Sequence, residues 1–320
     1  MKTNFDVERL SRILVFSGFL EQTDEGGYRH SKFSRAYQPE KPGLGHLFVA
    51  CFDHVLTPFH NFDEYLSRRG QLHEPDDSLR CPMTSYHNQD GVSPWAIMGQ
   101  NPDRMRDFQL AMDVIDEAST AVGTFDFRLL RNSPDEEAAG RVQLVDVGGG
   151  HGTVLANIIA AYSDSLRYET CVLQDRPDVI ELSKKNSALP DAVKRMNHDF
   201  FTEQPVKGAK AYFMRLIIHD WPDATCVKIL THLAAAMAPD SRLLICDAVL
   251  PPRVSEDSFF IAVVDQAVMG IAGKERTVEG FSYLLSEAGL ELVRVWRLSR
   301  DAQKVGACIE GRLKRQSSSL

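Results

Sequence analysis

The chain reads as an α/β protein: a doubly wound, mostly parallel sheet with antiparallel strands at its C-terminal edge, preceded by a smaller helical unit. Three observations predict this. From Val142 onward, short β-branched runs alternate with helix-period segments, the pattern of parallel strands joined by crossover helices. The first of these strands runs straight into a glycine-rich turn and a helix, within Val142 to Ala156. The last two apolar runs, Leu290 to Leu298 and Lys304 to Glu310, have no helical segment between them and should pair antiparallel. The expected boundaries are 1–118 for the smaller unit, 119–311 for the sheet and 312–320 for a serine-rich, disordered tail.

In chain order, Val7, Leu10, Ile13, Leu14 and Phe16 fall at helical spacing. A hairpin around Gly26-Gly27 follows, and helix plus hairpin suggests a winged-helix unit. A breaker-rich connection spans 36–46. Leu47 to Leu66 carries a dense aromatic stripe (Phe48, Phe52, Phe59, Phe62) that reads most simply as core. Pro82 to Pro94 reads as loop apart from one short turn, and Asn101-Pro102-Asp103 starts a helix through Phe108 and Met112 with Pro at a tolerated early position. Strands are expected at 142–147, 170–174, 193–197, 211–218 and 242–250. Helices are expected at 153–161, 177–184 and 224–237, and near 257–269 and 277–288.

Bulk properties exclude several classes. A net charge of −8 argues against nucleic acid or an anionic membrane surface as partner, and the first helix has no basic stripe. No apolar run approaches the roughly 20 residues that cross a bilayer, and Met1 to Asp6 lacks a signal-peptide core. The six cysteines form no C-x-x-C pair, so reduced thiols, no metal site and a cytoplasmic location are expected.

The chemistry concentrates at strand ends. Gly148, Gly149, Gly150 and Gly152 lie between the strand ending at Val147 and the helix starting at Thr153, where backbone N–H groups can meet a ligand. The spacing is not the dinucleotide pattern G-x-G-x-x-G. Asp146 is a poor neighbour for a pyrophosphate and a good one for a cation, so a sulfonium such as S-adenosylmethionine fits better. Asp175 ends the next strand, where a ribose diol would sit. His219 follows the strand from Ala211, Asp247 ends the strand from Leu243, and Glu275 lies in the loop from Gly273. A histidine oriented by carboxylates can remove a proton from a weakly acidic hydroxyl such as a phenol. Phe108 and Met112, with Trp221 and Met269, are the candidates for the wall of an aromatic acceptor pocket.

Six segments come in order: Val145 to Gly152, Leu173 to Ile180, Asp199 to Phe201, Arg215 to Asp223, Asp247 to Pro251 and Gly273 to Thr277. Together they resemble the S-adenosylmethionine-dependent O-methyltransferases of the plant caffeic acid and fungal sterigmatocystin type, over nearly all of 142–310. The resemblance implies a Rossmann-like methyltransferase fold and S-adenosyl-L-methionine as cofactor. It implies that Gly148, Gly149, Gly150 and Gly152 hold its methionine part, that Asp175 takes the ribose hydroxyls and that Asp199 and Phe200 flank the adenine. Arg215 stands where the family has Lys or Arg beside the cofactor. His219 matches the base, with Asp247 and Glu275 its acidic neighbours. The winged-helix unit would serve homodimerisation and cover the partner's pocket, weakened here because family members carry further helices before it. A second departure is Asp rather than Glu at 247.

The expected function is O-methylation of a phenolic hydroxyl on a small secondary metabolite. The alternatives are a pericyclase or dehydratase that keeps the cofactor as a fixed charge, a non-catalytic cofactor-binding relative, and a NAD-dependent dehydrogenase.

Overall fold

The computed structural model describes residues 7–38, 43–70, 73–118, 121–185, 189–253, 255–297 and 306–314. The N-terminal helix and hairpin are α1 (Val7–Phe16), β1 (Leu20–Gln22) and β2 (Tyr28–His30), with Leu20 opposite His30 in an antiparallel pair. The single helical pattern expected for Leu47 to Leu66 is broken. Helix α2 (Leu44–Cys51) passes into a π-helical turn, Phe52–Leu56, then a 3-10 turn, Pro58–Asn61, before α3 (Phe62–Arg69). Pro58 has no N–H to continue the ladder and its ring crowds the carbonyl one turn back.

The stretch expected as loop holds α4 (Pro82–Tyr86), and α5 (Pro94–Gly99) starts at its end. Each opens on a proline at its first position, as does α6 (Pro102–Ala118). The first two are too short to show a period in the sequence. Helix α7 (Pro134–Ala138) precedes the sheet.

The aromatic stripe is only partly covered: Phe59 and Phe62 are half-buried, and its N-terminal half is not core. Phe48, Phe52 and Leu56 are 60%, 52% and 60% exposed. Their spacing of four residues puts them on one face of α2 and its π-helical extension, while α2 packs on α6 by another face. Leu10, Ile13 and Phe16 of α1 are exposed as well.

The remaining elements alternate as expected: β3 (Leu144–Val147), α8 (Thr153–Ala161), β4 (Cys171–Asp175), α9 (Pro177–Ser183), β5 (Lys194–Asn197), β6 (Ala211–Arg215), α10 (Asp223–Ala234), β7 (Arg242–Ala248), α11 (Phe259–Met269), α12 (Val278–Glu287), β8 (Leu290–Arg297) and β9 (Gly306–Leu313). They build one sheet in the order β5-β4-β3-β6-β7-β9-β8. The first five are parallel, and β9 runs antiparallel between β7 and β8. Strand residues alternate between two apolar layers. Val145, Val147, Tyr212, Met214, Leu243 and Ile245 face one layer, and Leu144, Ala211, Phe213 and Leu244 the other, the period of a strand buried on both faces.

Several boundaries shift by up to three residues from expectation. Strand β6 ends at Arg215 because Leu216 turns the chain with φ at 51°. Arg312 and Leu313 belong to β9, so no tail begins at 312; the expectations for 39–42, 304–305 and 315–320 lie outside the described residues. No helix among the described residues is long and apolar enough to cross a membrane. The chain runs from β3 outward to β5, then returns to β6 on the other side of β3. The crevice of an open sheet therefore opens at the carboxyl ends of β3 and β6.

Candidate active site

The glycine turn after β3 is held tightly on one side and open on the other. A Cβ built on Gly149 would stand 2.4 Å from Asp146 Oδ2 and 2.5 Å from Leu173 Cδ1, so only glycine fits. Gly150 has φ +59 and meets nothing within 4 Å, while its N–H donates to Asp175 Oδ2 at 2.8 Å. The carboxylate at the tip of β4 thus touches the glycine turn directly. Burial pushes the Asp175 carboxyl up from its usual range, and the N–H groups of Arg176 and Gly150 work against that. Asp199 Oδ1 accepts from Phe201 N at 3.0 Å. Phe200 leans over the turn: a Cβ on Gly148 would lie 3.6 Å from its ring and 2.8 Å from Ile217 Cδ1. Arg215 is half-buried at the end of β6, beside β3. The nine residues expected for the cofactor therefore gather at the carboxyl ends of adjacent strands.

Beyond Leu216, a 3-10 turn over Ile218–Asp220 carries His219. Its backbone is pinned from two directions. Lys274 N donates to the His219 carbonyl at 2.8 Å. The buried Arg276 guanidinium donates to the carbonyls of Ile218 (3.0 Å) and Trp221 (2.8 Å) and pairs with Asp223. The His219 side chain is 10% exposed; its Nδ1 lies 2.7 Å from Glu275 Oε1 and its Nε2 3.5 Å from Asp220 Oδ1. Glu275 is itself held, its N–H donating to Asp265 Oδ1 at 2.8 Å. Asp247 is buried at the end of β7, and neither of its oxygens has a hydrogen-bond partner among the described residues.

The electrostatics follow from one imidazole among several carboxylates. Burial alone would depress the His219 pKa, but Asp220, Glu275 and Asp247 outweigh it and hold it up to about 10. Burial lifts Asp220 to about 7 against the opposing pull of His219, and burial raises Asp247 likewise. Glu275 occupies the Nδ1 side of the ring and leaves Nε2 facing Asp220.

The acceptor-pocket candidates divide. Phe108 and Met112 lie half-buried on α6, and Met269 half-buried at the end of α11. Phe108 stands edge-on to Trp95 (5.9 Å) and to His54 (5.6 Å). Trp221 is not in that group. It is buried in the core beside Ile218 and Cys226, with its ring 4.9 Å from Phe201 and 6.2 Å from Phe200. The sequence reading missed Asp220, Asp265, Arg276, His54 and Trp95; only Asp220 carried a signal, as the acid next to the proposed base. Among the described residues, no group of three or more His, Cys, Asp or Glu is placed to hold a metal ion.

The family model of the O-methyltransferase domain matches residues 72–291. The chain belongs to that family. It is 34% identical to the O-methyltransferase hmp5 of Hypomyces subiculosus over 97% of the chain and 75% of that protein. It is 35% identical to the O-methyltransferase kntB of Aspergillus niger over 92% and 70%. Among solved structures it is similar to OxaC in complex with sinefungin and meleagrin (TM-score 0.85, 28% identity, 98% of the chain and 77% of OxaC). It is also similar to a structure described as a pericyclic reaction enzyme (TM-score 0.81, 26% identity, 96% and 76%). The enzyme is thus an S-adenosylmethionine-dependent O-methyltransferase by family, and relatives have been crystallised with S-adenosylmethionine and S-adenosylhomocysteine. The residues present fit that cofactor. The space over Gly150 admits a ligand, the Asp175 carboxylate is at hand for a diol, and the orphaned oxygens of the buried Asp247 lie among the carboxylates around His219, a setting that suits a cation.

Proposed function

We propose that the enzyme methylates a phenolic or other aromatic hydroxyl of a small secondary metabolite, with His219 as general base. The observation that carries this reading is the His219–Glu275 contact of 2.7 Å at the open end of β6, which leaves Nε2 to take a proton. The bound cofactor supplies an electrophilic methyl group and one positive charge. Gly148, Gly149, Gly150 and Gly152 with Asp146 would hold its methionine portion, Asp175 the ribose, Asp199 and Phe200 the adenine, and Arg215 would flank it. Nε2 would accept the hydroxyl proton and Glu275 with Asp247 would stabilise the imidazolium, while the cofactor would supply the methyl group and keep the electron pair of its broken carbon–sulfur bond on sulfur. A cation brought up to these carboxylates makes His219 easier to deprotonate, so the protein is poised as a base only once loaded.

The test is product mass. Incubation with S-adenosylmethionine and a panel of phenolic polyketides should yield a product heavier by one methylene unit, and His219→Ala should lower turnover by roughly 10²–10⁴-fold. A variant with unchanged turnover removes His219 from the mechanism. Similarity to a pericyclic reaction enzyme favours one rival, rearrangement or water loss without transfer, and product mass separates it from transfer.

We further propose that residues 1–118 form a unit that pairs two copies of the chain and covers the pocket, and that 119 to the end of β9 binds the cofactor. Support comes from the uncovered apolar face on α1 and α2.

A further inference from the structure

One histidine stands at the acceptor side of the molecule with no part in the proton transfer. His54 lies on the π-helical turn Phe52–Leu56, a wide turn of a kind that recurs at functional sites. Its ring meets Phe108 edge-on, at 5.6 Å and 87°, and Phe108 in turn meets Trp95. With Met112 and Met269 also half-buried in this part of the fold, the surroundings are aromatic and apolar. Within them His54 Nε2 is buried and has no hydrogen-bond partner among the described residues. A buried ring nitrogen is ordinarily satisfied, and an orphan one marks a place where a ligand's polar group belongs.

The surroundings favour the neutral ring. Burial lowers its pKa, His87 and Arg104 add to that, and Asp53 opposes them. A neutral imidazole offers one N–H and one lone pair, and a hydroxyl, which donates and accepts, satisfies either tautomer at Nε2. The position is also tied to the catalytic cluster. The π-helical turn packs on α11, where a Cβ on Gly270 would stand 3.4 Å from the His54 carbonyl oxygen. The same helix carries Asp265, which holds the Glu275 backbone, and Glu275 holds His219. One helix therefore touches the backbone of His54 and of Glu275, the partner of His219.

We propose that His54 selects the acceptor by hydrogen-bonding a second hydroxyl on the aromatic substrate, distinct from the one that is methylated, so that the pocket favours polyhydroxylated rings over monophenols. This deepens the methyl-transfer reading and rests on it for the identity of the reacting hydroxyl.

The experiment measures affinity rather than turnover. Full-length enzyme saturated with S-adenosylhomocysteine is titrated calorimetrically with a naphthol and with each dihydroxynaphthalene. At least one diol should bind roughly tenfold more tightly than the naphthol, the scale of one net hydrogen bond. His54→Ala should erase that difference while leaving the naphthol affinity within about twofold, and His54→Gln should retain part of it. S-adenosylhomocysteine affinity in each variant reports an intact fold, and if the alanine variant fails to fold the glutamine and His54→Phe variants decide. The proposal is overturned if the wild type binds all probes alike or none of them, or if discrimination survives His54→Ala. Product mass is read separately: a diol that is bound selectively and never methylated sinks the transfer reading and leaves the role of His54 standing.

Discussion

In the ligand-free protein His219 holds a proton at neutral pH, its pKa raised to about 10 by the carboxylates around it. Asp220 faces Nε2 at 3.5 Å, so its charge opposes release of that proton, the one the proposed base has to give up. Replacing it with Asn removes that charge and leaves the Glu275 contact intact. The rising limb of kcat/KM for the acceptor should then move to lower pH, by roughly 1 pH unit or more. The two profiles should converge below about pH 7, where Asp220, itself titrating at about 7, is protonated in the wild type. A pH series from neutral to alkaline checks this, and a limb that stays in place would show that Asp220 does not govern the base. The glycine turn is constrained sterically. Gly149→Ala places a methyl 2.4 Å from Asp146 Oδ2, which forces the turn or the carboxylate to shift. S-adenosylhomocysteine affinity, read by calorimetry, should fall at least about tenfold, the effect of roughly 1.4 kcal/mol of strain.

At the scale of the element, the 3-10 turn over Ile218–Asp220 aims His219, and Arg276 fixes that turn through two carbonyls and Asp223. Arg276→Ala leaves those carbonyls without their charged donor and should cost about 2–4 kcal/mol of stability. It should lower kcat with little change in S-adenosylhomocysteine affinity; Arg276→Lys restores charge and not the fork, so recovery should be partial. Denaturant melts and a kcat-against-KM comparison separate the two effects. The sheet was legible because parallel strands buried on both faces read as continuous apolar runs, and Gly148 to Gly152, Asp175, His219 and Asp247 were legible because they stand where those runs stop. Arg276 was not, since a guanidinium binding backbone carbonyls leaves no spacing to read. The short helices at Pro82 and Pro94 were hidden for want of a full period. Phe48 and Phe52 misled for another reason: periodicity identifies an apolar face and says nothing about what covers it.

That uncovered face is a property of the whole molecule. Leu10, Ile13 and Phe16 on α1, with Phe48, Phe52 and Leu56 on α2 and its π-helical turn, are all more than half exposed, Phe16 at 93%. A single exposed apolar side chain needs no explanation, but three along each of two N-terminal helices are more than chance exposure and mark a surface for interaction. A second copy of the chain is the occupant proposed above. The wild type should therefore sediment as a dimer at micromolar concentration, and its thermal midpoint should rise with protein concentration, since association stabilises only the folded form. Ile13→Glu with Phe16→Glu introduces two charges into that face at positions the isolated fold leaves in solvent. The double variant should run as a monomer with a concentration-independent midpoint, while S-adenosylhomocysteine affinity stays within about twofold, because the glycine turn and β4 tip lie in a different part of the chain. Dimers that persist in the variant, or a wild type that is monomeric throughout, would show that this apolar face does not join two copies.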